Sequence, residues 1–597
     1  MRLGVDTGGT FTDLVTADGR VVKVSSTPSD PAGAVRAALE RALGSTRPAL
    51  LAHGTTVATN ALLEHRGGRI ALVATRGFAD IIEIARQTRP SLYDLHVDRP
   101  PALVPRDLRL EVGGRLDERG HELEPLDATA VPPVPDGVDA VAVCLLHADL
   151  ASDHERVVAR ELAARGLDVT CSHEVSPEFR EYERTVTTVA NALVRPACRG
   201  YLRELAGLAD EVLVMTSAGG LLPAEEAAER PAALLLSGPA GGVRAAASVA
   251  AACGYPDAVS FDMGGTSTDV CLIRGGVPEP APSRVVAGYP IRLPALDVHT
   301  IGAGGGSIAR LDPGGALTVG PRSAGAIPGP ACYGRGGTAP TVTDADLVLG
   351  RLDAAATFPN LGRLDPARAR AALDTADVDP AGVVAVVDAA MEQAVRVVSV
   401  ERGVDPRGLA LVAFGGAGPL HACAVADGLG IPTVIVPPRA GALSAVGLLA
   451  SPRRRELVRS WPTPGDGAGL DAARRALSAE AAALVGPGAV VETALDCRYA
   501  GQSHELTVPD VTDFAAEHQR RNGYVRPDVA IEVVTCRARA TLAAPLRAED
   551  LPAPTRPTVR GPQVVAEPDC TVWVPDGWTA RPGPLGAWLL QRVGARR

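Results

Sequence analysis

The first 25 residues alternate apolar and polar positions with a period of two. RLGVDTGG reads as a short apolar strand running into a glycine turn. TFTDLVTADG and RVVKVSS read as two more strands, joined through ADGR as a hairpin. At 31–43 the period lengthens to that of an amphipathic helix, with Asp30 as its cap and Pro31 in its first turn. LLAHGTTVATNALLEHRG predicts strand, turn and helix, and RIALVATRGFADIIEIARQ predicts strand then helix. DAVAVCLLHA at 139–148 is a buried strand, residues 152–166 are a helix, and LDVTCSHEV is a strand. This alternation predicts an α/β architecture.

The pattern restarts near residue 210. EVLVMTSAGG predicts a strand and turn, and AALLLSGPAGGVRAAASVAAACG a strand, glycine turn and helix. AVSFDMGGTSTDVCLIRGG is strand, glycine turn, strand. Residues 383–403 form a long helix, LALVAFGGAGPLHACAVADGLG a strand, turn and helix, and PTVIVPP a final strand. WPTPGDGAG at 461–469 reads as a linker, and the Pro-rich remainder holds strands in ETALDCRYAGQSHELTVP and AIEVVTCRARATL. The expected units are therefore 1–180, 190–457 and a smaller C-terminal domain at 470–597.

Composition narrows the functional classes. A chain of 597 residues is too long for one ordinary core. Its 46% apolar and 21% charged residues are those of a globular protein, and a net charge of −10 without a basic tract argues against nucleic-acid or anionic-membrane binding. Lys23 is the one lysine, so a Walker-type lysine grip on phosphate is not expected. The ten cysteines form no CxxC pair, which signals neither a zinc ribbon nor a redox pair. The opening MRLGVDTGG lacks the apolar run of an export signal, and the longest apolar stretch, 409–426, is broken by glycine and proline; a cytoplasmic protein with no membrane span is expected.

The eight letters DTGGTFTD at 6–13 return as DMGGTSTD at 262–269, with six of the eight identical. Two copies of one loop in one chain indicate an internal repeat. Each copy is an apolar run, an Asp, two glycines, then Thr-x-Thr-Asp. Glycines let successive backbone N–H groups turn toward one point, and threonine hydroxyls add donors, which together make an anion cradle. Thr7, Gly8, Gly9, Thr10 and Thr12 would form one cradle, and Gly264, Gly265, Thr266 and Thr268 the other. Asp6 and Asp262 cannot bind phosphate; they can hold hydrated Mg²⁺ or orient a nucleophile or water. Facing each other, the loops would clamp a nucleotide triphosphate.

This arrangement resembles the actin/sugar-kinase/Hsp70 superfold, two ribonuclease H-like α/β lobes around an ATP cleft. FGGAGPLHA at 414–422 would supply its adenosine turn through Gly415, Gly416 and Gly418. Further strings narrow the match: HGTTVATNALLE (53–64), TRGFADIIEIARQTRPSLYDL (75–95), SGPAGGV (237–243), HTIGAGGGSIA (299–309) and PGPACYGRGGTAPTVTDADLVLGRL (328–352). With these the chain resembles the hydantoinase A/5-oxoprolinase family. The resemblance implies an ATP-binding subunit that phosphorylates a cyclic amide, needs Mg²⁺, and works in an oligomer with a B-type partner subunit. A ketone carboxylase subunit is the alternative within the family, followed by a small-molecule kinase or a non-catalytic ATP-binding protein.

Other residues carry two readings each. His53, Thr55, Thr56 and Asn60 sit at a strand–turn–helix junction, as a substrate or phosphate edge or as a helix cap with a packed histidine. Asp297 and His299, two apart on a strand, would share a face and reach one ligand, or else mark a domain corner. Arg86 and Arg89, with Tyr93, would meet a substrate carboxylate or form a surface ion pair. Cys332 reads as a small buried residue, and His421, at the start of a helix beneath the adenosine turn, reads as structural.

Overall fold

A computed structural model describes residues 1–9, 11–27, 30–64, 67–356 and 362–594; Thr10 of the first loop therefore lies outside the described residues. β1 (Arg2–Thr7), β2 (Phe11–Thr16) and β3 (Val21–Ser25) form the antiparallel meander expected from their alternation. α1 (Pro31–Leu43) follows, its first turn capped by Asp30, which accepts the Gly33 N–H at 2.8 Å. β4 (Leu50–Thr55) runs parallel to β1. After α2 (Glu181–Ala206) the chain returns to the same sheet as β5 (Glu211–Met215), parallel to β4.

The second copy repeats this plan. α3 (Gly238–Ala252) leads to the hairpin of β6 (Ala258–Met263) and β7 (Thr268–Arg274). α4 (Val342–Val348) and α5 (Pro380–Val398) precede β8 (Ala410–Phe414), which is parallel to β6. α6 (Gly418–Leu429) and β9 (Thr433–Val436), parallel to β8, complete it, and α7 (Leu443–Leu449) follows. The strand order β3-β2-β1-β4-β5 of the first sheet recurs in the second, where the two-residue strand Val277–Pro278 stands in for β3 beside β7-β6-β8-β9. The two sheets carry separate cores, one around Leu3, Leu14 and Leu51, the other around Phe261, Phe414 and Trp588.

Strands late in the chain pair into both sheets. β10 (Arg453–Ser460), β11 (Val490–Tyr499) and β12 (Ile531–Leu542) extend the first. β13 (Trp578–Pro582) and β14 (Trp588–Arg592) extend the second, where β14 pairs antiparallel with β9, so PTVIVPP is not the last strand of that sheet. Strands Ile70–Thr75, Arg109–Val112, Ala140–Cys144 and Val169–Cys171 make a separate, all-parallel sheet of four.

Three local expectations change. AALLLS is no strand: Pro231–Leu234 is a single tight turn, and its carbonyls at Ala233 and Leu235 accept the Ser217 hydroxyl. The helix expected after Gly77 is one turn, Ile81–Ile84, ended by positive φ at Ala85 and Gln87. Conversely, α2 is a long helix where no element was expected, and every residue from 184 to 195 in it is buried. Thr185, Thr187 and Thr188 return their hydroxyls to carbonyls four residues back, which removes the polar cost of burying them. Among the described residues, no helix is long and apolar enough to cross a membrane.

The two halves meet where α3 crosses α7. A Cβ on Gly447 would stand 1.8 Å from the Gly241 carbonyl oxygen, and one on Gly4 would stand 2.1 Å from that of Ala445. Backbone touches backbone along this seam. Gly447→Ala must push the helices apart and is expected to cost about 2–3 kcal/mol, the upper range for overpacking a tight core. Urea denaturation of the full chain measures this; an unchanged midpoint would mean that the seam has slack.

Candidate active site

The hairpins present their loops to one cleft of about 540 Å³. The pairing register explains what faces it. Asp6 lies opposite Asp13 in the first hairpin, and Asp262 opposite Asp269 in the second. Residues directly opposite share a face of the pleat, so each motif delivers both of its aspartates to the cleft, and all four line it. The loops turn alike: Gly8 N–H donates to the Phe11 carbonyl and Gly264 N–H to that of Ser267, each at 3.0 Å.

The same pleat turns part of each cradle away. Thr7, Gly8 and Gly9 line the cleft, as do Gly264, Gly265 and Thr266. Thr12 and Thr268, one position off the aspartate face, are fully buried in the hairpins. Thr12 shares a hydrogen bond with Ser26 at 3.0 Å, and Thr268 donates to the Ala303 carbonyl at 2.6 Å. Neither hydroxyl is directed at the cleft, which corrects the expectation of four loop threonines around phosphate. The GAGGGS turn backs the second loop instead: Gly305 and Gly306 N–H donate to the Gly264 and Gly265 carbonyls at 3.0 and 2.7 Å.

Gly415 and Gly416 line the cleft. Gly415 has φ +79°, and a Cβ there would stand 2.4 Å from Oδ1 of Asp262. The turn thus props the second-loop carboxylate from behind. Gly418 does not line the cleft; it packs the start of α6 against β6, where a Cβ would meet the Phe261 carbonyl at 3.3 Å.

Of the residues assigned two readings, Thr56 alone reaches the cleft. His53 is locked in the core between the Val5 carbonyl (3.1 Å) and the Tyr201 hydroxyl (2.6 Å), and burial lowers its pKa to about 4, so it is a neutral packed histidine. Buried Thr55 caps the next turn, its hydroxyl accepting the Val57 N–H, and Asn60 is exposed. Arg86 makes a two-point pair with Glu183 at 2.8 and 2.5 Å, Arg89 is exposed, and Tyr93 is 98% exposed. Asp297 pairs with Arg402, and His299, half-buried on strand Val298–Ile301, lies opposite Val270, so this pair does not join the loops. Cys332 is a buried thiol, pushed up by burial and by Asp344, whose carboxylate accepts the Cys332 N–H at 2.8 Å.

Several contributors escaped the sequence reading. Asp13 and Asp269 close both copies of the motif, and their equal spacing from Asp6 and Asp262 was the available signal. Lys23 is opposite Asp13 in β3 and pairs with it at 2.6 Å, so the one lysine stands in the cleft after all. Residues 566–571 line the far wall, held by Asp569, which accepts the Gly441 N–H at 2.7 Å; nothing local in the sequence announces that contact.

Electrostatically the cleft is an acid cluster short of positive charge. Burial raises Asp6 to about 7, Asp13 adds to the rise, and Lys23 opposes it. Burial raises Asp262 well above the carboxylate range, helped by Asp269, Asp6 and Asp13. Asp269 is raised to about 6 by burial, against a hydrogen bond from Thr300. Four half-buried carboxylates that repel one another, with one lysine among them, leave negative charge that a hydrated divalent cation would offset.

Comparison with known proteins then decides the family. The hydantoinase/oxoprolinase model matches residues 184–456, and the model of the hydantoinase/oxoprolinase N-terminal region matches 2–166. The chain belongs to the hydantoinase/oxoprolinase family. Within it, the chain is 34% identical to the caprolactamase subunit alpha of Pseudomonas jessenii, over 99% of both chains. The crystal structure of the ATP-dependent caprolactamase from that organism superimposes with a TM-score of 0.85 over the whole of both chains, at 32% identity. Acetone carboxylase, in a nucleotide-free structure, superimposes with a TM-score of 0.78 at 25% identity, over 99% of each chain. 5-Oxoprolinase 1 of Arabidopsis thaliana is 34% identical over 75% of this chain, which spans 41% of that protein.

A second cavity of about 1350 Å³ in this hydantoinase/oxoprolinase chain lies beside strand Val169–Cys171 and β10. At its edge, Glu155, Cys171 and His173 come together. Glu155 there already accepts from the N–H groups of Leu145 and His173, the Ser172 hydroxyl and the His173 ring, so it serves as a clamp for that turn.

The raised aspartates give a signed pH effect. An unfolded aspartate titrates near 3.8, whereas Asp6 titrates near 7 and Asp269 near 6. Between those values the folded chain binds more protons, so their stabilisation is full below about pH 4 and is lost as pH rises toward 7. In metal-free buffer the melting temperature is expected to fall from about pH 5 to about pH 7.5, with Mg²⁺ restoring more at the upper end. Asp6→Asn should flatten the metal-free profile. A flat wild-type profile that ignores Mg²⁺ would contradict the acid-cluster geometry.

Proposed function

We propose that this chain is the ATP-using subunit of a cyclic-amide hydrolase, one that activates a lactam or hydantoin carbonyl by phosphorylation. The observation that carries the reading is the meeting of two glycine hairpins, with their four aspartates, in one cleft. The repeated strand order supports the finer view that the halves are actin/sugar-kinase/Hsp70-like lobes, within the division 1–180, 190–457 and 470–597.

In this reading the amides of Gly9 and Gly265 and the hydroxyl of Thr266 hold the phosphates, while Gly415 and Gly416 let the nucleoside lie close to the backbone. Lys23 adds the one lysine or arginine among the described residues that line the cleft. Asp6 and Asp262, with Asp13 and Asp269 behind them, would hold Mg²⁺, which when bound neutralises the phosphates. An amide carbonyl is a poor electrophile. Its oxygen attacks the γ-phosphorus, the bond to ADP breaks, and the ring carbon gains a phosphate leaving group that water can displace. Asp262, propped by the Gly415 turn, orients the lactam and takes the amide N–H proton that is released as the carbonyl oxygen is phosphorylated.

The caprolactamase relative is named as an alpha subunit, and we extend this to a B-type partner subunit that completes hydrolysis. A ketone carboxylase subunit is the second reading, favoured by the acetone carboxylase match. The hydrolase reading takes precedence because the caprolactamase match is the closer of the two in fold and in identity.

Asp262→Asn is expected to leave ATP binding within about tenfold while lowering turnover by ~10²–10⁴. Product analysis on the chain co-expressed with its genomic neighbour checks this, with hydantoin, 5-oxoproline, caprolactam and acetone as substrates. ATP hydrolysis stimulated by a ketone and bicarbonate, and by no cyclic amide, would replace the hydrolase reading with the carboxylase one. Unchanged turnover in Asp262→Asn would remove that residue from the chemistry.

A further inference from the structure

Helix α4 brings a fifth carboxylate to the cleft, one the hairpins do not account for. Asp346 is 1% exposed, lines the cleft, and has an Oδ1 with no hydrogen-bond partner among the described residues. The nearest cation to that oxygen, Nη1 of Arg351, is 3.8 Å away, too far for a hydrogen bond. The other oxygen, Oδ2, is 3.2 Å from Nε2 of His421, and Nδ1 of His421 is 2.7 Å from Oδ1 of Asp388 on α5. His421 is fully buried. Burial alone would make it neutral, but Asp346 and Asp388 outweigh that and raise it to about 10, so an imidazole hydrogen-bonded to Asp388 faces Asp346 at ion-pair distance. A buried polar atom left without a donor costs free energy, so an arrangement that keeps one free calls for a ligand to complete it.

The surroundings limit what that ligand can be. A phosphate oxygen only accepts hydrogen bonds, so without a bridging cation it cannot complete this acceptor. Tyr333, Leu352, Leu364 and Leu420 line the same part of the cleft with apolar surface, and Leu420 and His421 lie one turn into α6, directly after the Gly415–Gly416 turn. The raised carboxylates of the hairpins interact with one another through β1, β2, β6 and β7, whereas Asp346 approaches from α4. An apolar slot with one anionic acceptor suits a flat base carrying neutral donors.

We propose that Asp346 is a specificity-determining residue of the cleft: its free oxygen accepts a hydrogen bond from a neutral donor of the nucleoside, either a ribose hydroxyl or the exocyclic amine of the base. His421 and Asp388 are positioning residues that hold Asp346 in place. The inference rests on the nucleotide reading of the cleft.

Calorimetry on the full chain with ATP, 2′-deoxy-ATP, 3′-deoxy-ATP and ITP tests it. The wild type is expected to bind one of these analogues about 10–100-fold more weakly than ATP, the scale of a hydrogen bond to a charged group. Which analogue fails identifies the donor. Asp346→Asn should weaken ATP about tenfold and leave the discriminated analogue within about twofold, so that the selectivity ratio collapses. His421→Gln should shrink the same ratio, a change that mere loss of packing would not make. If either variant fails to fold, the wild-type series and the other variant still decide. Equal affinity of the wild type for all four nucleotides would overturn the inference while leaving the nucleotide reading intact. So would a parallel loss of all four in Asp346→Asn. A folded wild type that binds no nucleotide would overturn both.

Discussion

The contact between α3 and α7, glycine against backbone, fixes the distance on which everything else depends. Gly241 and Gly447 let the two helices touch, and Gly4 lets α7 lie on the strand that carries the first loop. α3 leads into β6 of the second hairpin and α7 packs on β1 of the first, so the seam sets how far apart the two loops stand. A side chain in the seam would widen the cleft, and the aspartates could no longer act on one another. Steric permission at three glycines thus becomes an electrostatic property some distance away.

The repeat produces a pseudo-symmetric cleft that is chemically lopsided. The first pair of aspartates has Lys23 beside Asp13; the second has only the Thr300 hydroxyl beside Asp269. The second pair therefore keeps the greater need for a proton or a cation, and Asp262 is the residue pushed furthest from the ordinary carboxylate range. The duplicated loop is set in two different electrostatic surroundings by its third strand: the first sheet continues into a full strand with a lysine, and the second into a two-residue strand without one.

Sequence patterning foretold most elements that have one buried face. It foretold the β1–β2–β3 meander, α1 with its Asp30 cap, the second hairpin and the strand–turn–helix around Gly415. It missed α2, whose threonines and interior Pro196 are poor helix signals, and it misread AALLLS, because a short apolar run fits a strand or a buried turn equally well. In the candidate site, Asp6, Asp262 and the glycines were legible from the repeat. His53, Arg86, Asp297 and His299 were chosen for their chemistry, but their environment is a matter of tertiary contact, and each proved to be held by a neighbour or turned away from the loops.

The sequence by itself determined that one loop is used twice, that each copy sits at the end of an apolar strand, and that the chain resembles the family to which it belongs. These follow from local spacing, which the chain states directly. Only the tertiary structure decided that the last aspartate of each motif shares a face with the first, that Lys23 enters the cleft, that residues 566–571 close its far wall, and that Asp346 is backed by His421. Each of these depends on strand register or on segments that are far apart in the chain, and register and long-range packing are set by burial of the whole fold rather than by any short stretch.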